Sequence, residues 1–204
     1  MKVSYGICLF LLLLIVTTFG FSEIEENFSK QIFSSFAQHA VRQDTTAFDK
    51  IMTVVMHQRC MNCHPAGDRP YQSEEARVHS FNVKRGPANF GEGALSCATC
   101  HHEENNDMAG VPGAPHWSLA PKEMAWEGKS RIEIARSILD SKTNGGKNLA
   151  QTVAHLTEDA LVLWAWEPGI DADGFPREKP PIPKEEFIKA VKEWAAAGAI
   201  IPEK

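Results

Sequence analysis

The chain has 204 residues, a formal net charge of −5 and five cysteines, and its length suits one ordinary domain. Its basic residues are scattered along the chain rather than clustered. Composition and charge therefore exclude a strongly basic nucleic-acid-binding domain as the first hypothesis.

The N-terminus has the pattern of a secretory signal peptide. A positive start is followed by an apolar run over residues 7–16 and then by small residues, with cleavage predicted after Gly20 or Ser22. The run is shorter than an ordinary membrane span. An anchor that is retained is the alternative, because the run can extend to Phe21. We expect an exported, periplasmic protein that touches a membrane only if this segment is kept.

Helical periodicity recurs along most of the remaining chain. Apolar residues at helical spacing predict the helices Ile24–Val41, Ala47–His57, Ser130–Ser141, Leu149–Leu156, Glu158–Trp166 and one that begins at Pro183. The apolar face of the second includes Phe48 and Met56, and Ser130 and Glu133 predict a capping box at the start of the third. Residues 65–129 carry few helical signals and many Gly and Pro residues, and no run alternates convincingly like a strand. The expected fold is mostly α with long ordered loops. The expected organisation is a signal peptide over 1–22, an amphipathic helix over 23–46 and one domain over 47–204.

The cysteines that remain after signal removal form two CxxC pairs. Cys60 and Cys63 belong to CMNCH, and Cys97 and Cys100 belong to CATCH, so a histidine directly follows each pair. Three chemistries use paired cysteines: a zinc site, a redox disulfide and the attachment of a c-type haem.

The two histidines favour haem over the other two chemistries. Two thiols at this spacing can add across the two vinyl groups of a porphyrin, while His64 or His101 supplies the proximal nitrogen to the iron. A zinc ribbon or a disulfide makes no demand for a histidine after each pair. Export favours haem as well, since c-type haem is attached after export in bacteria. The sequence predicts two haem c groups in a small cytochrome c-like domain with long haem-wrapping loops.

Spacing also suggests a second ligand for each iron. His79 lies fifteen residues after His64, and His116 lies fifteen residues after His101, which gives two CxxCH-x14-H units. This resembles a degenerate internal repeat with one haem per unit. Further candidates for iron ligation are Met124, His155 and His57. Arg85, which precedes a glycine, is the preferred partner for the anionic haem propionates, because arginine binds carboxylates in a bidentate manner.

Several longer stretches are similar to those of one protein family. These are CMNCHPAGDRP, FNVKRGP, CATCHHEENND, GVPGAPHWSLAP, MAWEGKS and LVLWAWEPG. Together they resemble a family of small exported dihaem c-type cytochromes, often known as isoquinoline 1-oxidoreductase subunits. The resemblance covers residues 54–201. It implies an electron-carrying partner of a molybdenum hydroxylase. The chain is too small to hold that enzyme's catalytic centre and shows no molybdopterin or iron–sulfur motif.

The expected function is therefore periplasmic electron transfer through two covalently bound haems. Electrons would pass from a partner dehydrogenase or molybdenum hydroxylase towards a respiratory acceptor. A small dihaem peroxidase, with one open iron, and a haem-based sensor remain as alternatives.

Overall fold

The computed structural model describes residues 30–31 and 46–203. Internal contacts divide the chain into Met1–Gln43 and Asp44–Lys204. In the first unit only Lys30 and Gln31 are described, and both are helical and exposed. The expected signal peptide and the rest of the expected helix Ile24–Val41 lie outside the described residues. The following description concerns the second unit.

Helices supply the main regular structure of this unit. They are α1 (46–55), α2 (Gln58–Met61), α3 (Arg131–Leu139), α4 (Leu149–Glu158), α5 (Ala160–Leu163) and α6 (Lys184–Ala196). The helices expected after residue 46 are thus confirmed, with their ends moved by a few residues. Of the two helices expected between 149 and 166, the second is split into α5 and a 3₁₀ turn, Trp164–Trp166. None of the helices within 30–31 and 46–203 combines the length and apolarity that crossing a bilayer requires.

Two small antiparallel hairpins occur in the region where no strand was expected. The strands β1 (Tyr71–Gln72) and β2 (Arg77–Val78) pair with each other, as do β3 (Gly91–Glu92) and β4 (Leu95–Ser96). Two-residue strands are too short to show an alternating pattern, so sequence periodicity could not reveal them. The remaining path between 65 and 129 consists of turns, bends, short 3₁₀ segments and irregular backbone.

The core forms where the apolar faces of α1 and α6 meet. Phe48 and Ile51 of α1 are buried, and so are Phe187 and Trp194 of α6. The ring centres of Phe48 and Trp194 lie 6.5 Å apart. Met56 was expected on the same apolar face as Phe48, but α1 ends at residue 55 and the Met56 side chain is exposed.

The capping box expected at the start of α3 is present. The Ser130 hydroxyl accepts a hydrogen bond from the Glu133 amide, and the Glu133 carboxylate accepts one from the Ser130 amide at 2.8 Å. These bonds satisfy amides that have no partner within the helix. We expect Ser130→Ala to lower the free energy of unfolding by about 1 kcal/mol in chemical denaturation.

Ser141→Ala is the matched control for this prediction. Ser141 is exposed and follows the same helix, and its side chain makes no hydrogen bond to the described residues. A Ser130 variant no less stable than the Ser141 variant would contradict the assigned cap.

Candidate functional site

The first CxxCH motif lies on a short helix and the turn that follows it. Helix α2 carries Cys60, and the amides of Cys63 and His64 bond to the carbonyls of Cys60 and Met61 at 3.1 and 3.0 Å. This continuous turn brings both thiols and the imidazole to the wall of one cavity. The local backbone therefore presents the three reactive groups of the motif together.

That cavity has a volume of about 210 Å³. Its walls are mainly apolar, with side chains contributed by α1, α4, α5 and α6 and by the 3₁₀ turn 164–166. These include Val54, Val55, Leu156, Leu161, Trp164 and Phe187. An apolar, concave site with a few convergent polar groups is typical of cofactor binding.

His64 is held in one orientation by three contacts. Its Nδ1–H donates to the carbonyl of Met124 at 2.7 Å, because a carbonyl oxygen can only accept. Its ring stacks on Trp126 with ring centres 3.5 Å apart and planes 8° apart, and the Trp126 amide donates to the His64 carbonyl at 2.9 Å. Nε2 of His64 is left free to bind a ligand.

Burial also controls the charge of His64. It lowers the pKa of the imidazole to about 4, with a smaller opposing effect from the bond to Met124. Part of the side-chain surface is accessible because it faces the cavity, but protein surrounds the ring beyond that space. The ring is therefore neutral near pH 7, which is the form that ligates metals.

The second motif repeats this arrangement. The 3₁₀ turn Cys97–Thr99 leads to His101, whose Nδ1–H donates to the carbonyl of Pro112 at 2.6 Å. The His101 ring stacks on Trp117 with centres 4.6 Å apart and planes 8° apart. Burial lowers the pKa of His101, so this ring too is neutral with a free Nε2. Cys100 is exposed.

The two motifs lie near each other. Burial raises the pKa of the Cys60 thiol to about 12 and that of Cys63 to about 11, and the Cys97 thiolate contributes to the second shift. An aromatic contact joins the two sites as well. Trp164, which lines the cavity, meets Trp117 edge-on with ring centres 4.8 Å apart.

Two further histidines lie close to these sites. The ring of His79 is 5.9 Å from that of His101, with planes 68° apart, and its Nδ1 lies 2.9 Å from the Ser80 carbonyl. His155 on α4 lines the cavity together with His64. Its Nδ1 lies 2.9 Å from Oδ2 of Asp159. The structure thus brings the ring of His79 beside that of His101 in the second motif, although His79 follows the first motif in the chain.

The other candidate ligands are arranged differently. His116 is exposed and has no hydrogen-bond partner among the described residues. His57 caps α2 through Nδ1, and its Nε2 lies 3.7 Å from Glu178. Met124 is buried and lines the cavity with His64, and its backbone carbonyl binds Nδ1 of His64.

Arg85 is buried and connects three loops. Its two Nη groups donate to the carbonyls of Ala120 and Gly67, while its Nε has no acceptor among the described residues. It is not among the residues that line the cavity, and its role as a propionate partner stays a prediction. The cationic wall residues that sequence reasoning did not select are Lys147 and Arg59. Arg59 is buried against Glu74 and lies over the Trp164 ring.

The donors of the two motifs suit a covalent tetrapyrrole better than a single ion. Each motif presents two free thiols and one neutral imidazole whose Nδ1 is already bonded to a carbonyl. Histidines that ligate metals typically carry such a partner on the other nitrogen. The buried indole Nε1 of Trp126, a cavity residue, has no acceptor, so it can donate to a polar group that enters. Within 30–31 and 46–203, no three His, Cys, Asp or Glu side chains form a set able to hold one metal ion.

Comparison with known proteins identifies no relative. No protein-family model, no curated protein and no solved structure matches this chain.

Proposed function

We propose that this chain is an exported electron-transfer protein that carries two covalently attached haem c groups. The proposal rests on one observation: the histidines of the two CxxCH motifs are held by the same kinds of contact. In each, a histidine is fixed by a carbonyl on Nδ1 and by a stacked tryptophan, and its Nε2 is free. When bound, haem would supply one-electron cycling between Fe(III) and Fe(II).

Under this proposal the residues of the chain have distinct tasks. Cys60 and Cys63 would attach one haem, and Cys97 and Cys100 the other. The carbonyls of Met124 and Pro112 keep the two proximal imidazoles oriented and basic. Apolar walls around the first site exclude water, which together with the axial ligands sets the reduction potential.

The electron route follows from the contacts between the sites. The edge-on pair Trp117–Trp164 lies between the cavity wall and the ring of His101. Under this proposal the aromatic contact would be a link through which electrons pass between the two haems. The donor proposed from the resemblance is a partner dehydrogenase or molybdenum hydroxylase, and the acceptor a respiratory protein.

The test is production of the full chain in a host that exports proteins and attaches haem c. We expect the mass of two haems per chain and the visible spectrum of two low-spin haems. A resting iron that is high-spin and binds cyanide or carbon monoxide would contradict a simple carrier and support a peroxidase or sensor. A protein with bound zinc and no Soret band would contradict the proposal altogether. The control is the chain without residues 1–22, which should remain in the cytoplasm and acquire no covalent haem.

A further inference from the structure

We propose that His79 is the second axial ligand of the iron bound by His101, and that His155 is the second axial ligand of the iron bound by His64. The inference rests on the proposed function and deepens it. It differs from the pairing by sequence spacing, in which His79 belongs to His64 and His116 to His101.

The assignment of His79 to the iron of His101 rests on the geometry of the two imidazole rings. With metal–nitrogen bonds of about 2 Å, two imidazoles on opposite sides of one metal have ring centres about 6 Å apart. The observed separation is 5.9 Å, with planes 68° apart. In both rings Nδ1 is engaged by a backbone carbonyl, so both have Nε2 available.

The hairpin fixes the backbone position of His79. The amide of Tyr71 and the side chain of Asn62 form bonds of 3.2 and 2.9 Å that fasten β1 and the turn after it to the first motif. The chain then reverses, and strand β2 runs antiparallel to β1. His79 directly follows Val78 at the end of β2, and its amide donates to the Pro70 carbonyl. His79 is therefore held at the base of a hairpin fastened to the first motif, and its ring lies 5.9 Å from that of His101.

The backbone after His79 is strained in a way that suits a ligand loop. Phe81 and Asn82 both have positive φ, 60° and 58°, in the left-handed region that non-glycine residues rarely adopt. Such conformations are unfavourable for residues other than glycine and often occur at functional sites. The same turn leaves Phe81 exposed, so burial of that side chain does not explain the strain.

The assignment of His155 to the iron of His64 rests on the residues that line the cavity. His155 and His64 are the histidines that line it among the described residues. Asp159 is fixed by its own bond to the Leu161 amide, and its second oxygen holds Nδ1 of His155. A carboxylate on Nδ1 orients an imidazole and makes its Nε2 a better metal ligand.

The decisive experiment uses chains with one haem each. Cys60→Ala/Cys63→Ala keeps only the site at His101, and Cys97→Ala/Cys100→Ala keeps only the site at His64. His79→Gly is introduced into both, and spin state is read by visible absorption and electron paramagnetic resonance. We expect complete conversion to high spin in the first background, reversal by added imidazole, and no change in the second. Conversion in the second background, or in neither, would overturn the assignment.

His116→Gly is the control in the same two backgrounds. We expect it to leave both spectra unchanged. Conversion of the haem beside His101 to high spin would overturn the assignment of His79 to that iron.

A second measurement uses the dihaem protein, so the inference does not depend on single-haem chains. His79→Gly and His155→Gly should each convert half of the haem to high spin, and the double variant should convert all of it. A double variant that stops at half would show that the two histidines serve one iron and would overturn the assignment. Haem content by mass is read separately: fewer than two haems in the unmodified chain would refute the proposed function instead.

Discussion

Replacing Cys60 and Cys63 with alanine is expected to remove one covalent haem from every chain and leave the other in place. The reason is that each haem c is held by thioether bonds to its own pair of cysteines, and no other thiol lies in the first motif. Intact-protein mass should fall by one haem, and the Soret absorbance per chain should fall by about half. The complementary change, Cys97→Ala with Cys100→Ala, should remove the other haem.

Thr99→Ala is the matched control within the second motif. Its hydroxyl bonds only to the Ala94 carbonyl, and the substitution alters neither a thiol nor a histidine. It should retain both haems. Loss of both haems from the Cys60/Cys63 variant, or loss of neither, would show that the two motifs do not act as independent attachment sites.

Replacing Trp194 with alanine is expected to have the largest effect on stability. Its side chain is only 1% exposed, packs against Phe48 and donates through Nε1 to the Ile200 carbonyl at 2.8 Å. Truncation of a buried tryptophan costs about 3–5 kcal/mol, to which the unpaired carbonyl adds. Domains of this kind have a total stability of about 5–15 kcal/mol, so a large share would be lost.

Denaturant unfolding followed by far-ultraviolet circular dichroism measures this loss. Met108→Ala is the control, because it also removes a large apolar side chain but one that is 98% exposed. It should change the free energy of unfolding by no more than about 0.5 kcal/mol. Equal effects of the two substitutions would mean that Trp194 is not part of the core between α1 and α6.

Local features were predictable because their information lies within a few residues. The capping box of α3 depends on Ser130 and Glu133, three positions apart, and the helical stripe of α6 repeats at its own period. Both were expected from sequence and both are present. The two-residue strands were not expected, since they arise from chain reversal rather than from an alternating pattern.

The surroundings of the two motif histidines could not be predicted in the same way. Met124 and Trp126, which orient and stack on His64, lie some sixty positions along the chain. The preference for arginine at a carboxylate pointed to Arg85, whose role at a propionate stays a prediction, but its bonds to two loop carbonyls could not be read from the sequence. A residue type indicates which partners it can bind, and only the packing decides which partner is nearest.

By itself the sequence determined the reactive groups of this protein: two CxxCH motifs, each a pair of thiols at fixed spacing beside a histidine. Each motif consists of five consecutive residues, so it can be recognised without knowledge of the fold. Only the tertiary structure decided which other histidine lies beside each motif. A spacing of fifteen residues measures distance along the chain but not its direction, and in the folded chain the ring of His79 lies 5.9 Å from the ring of His101.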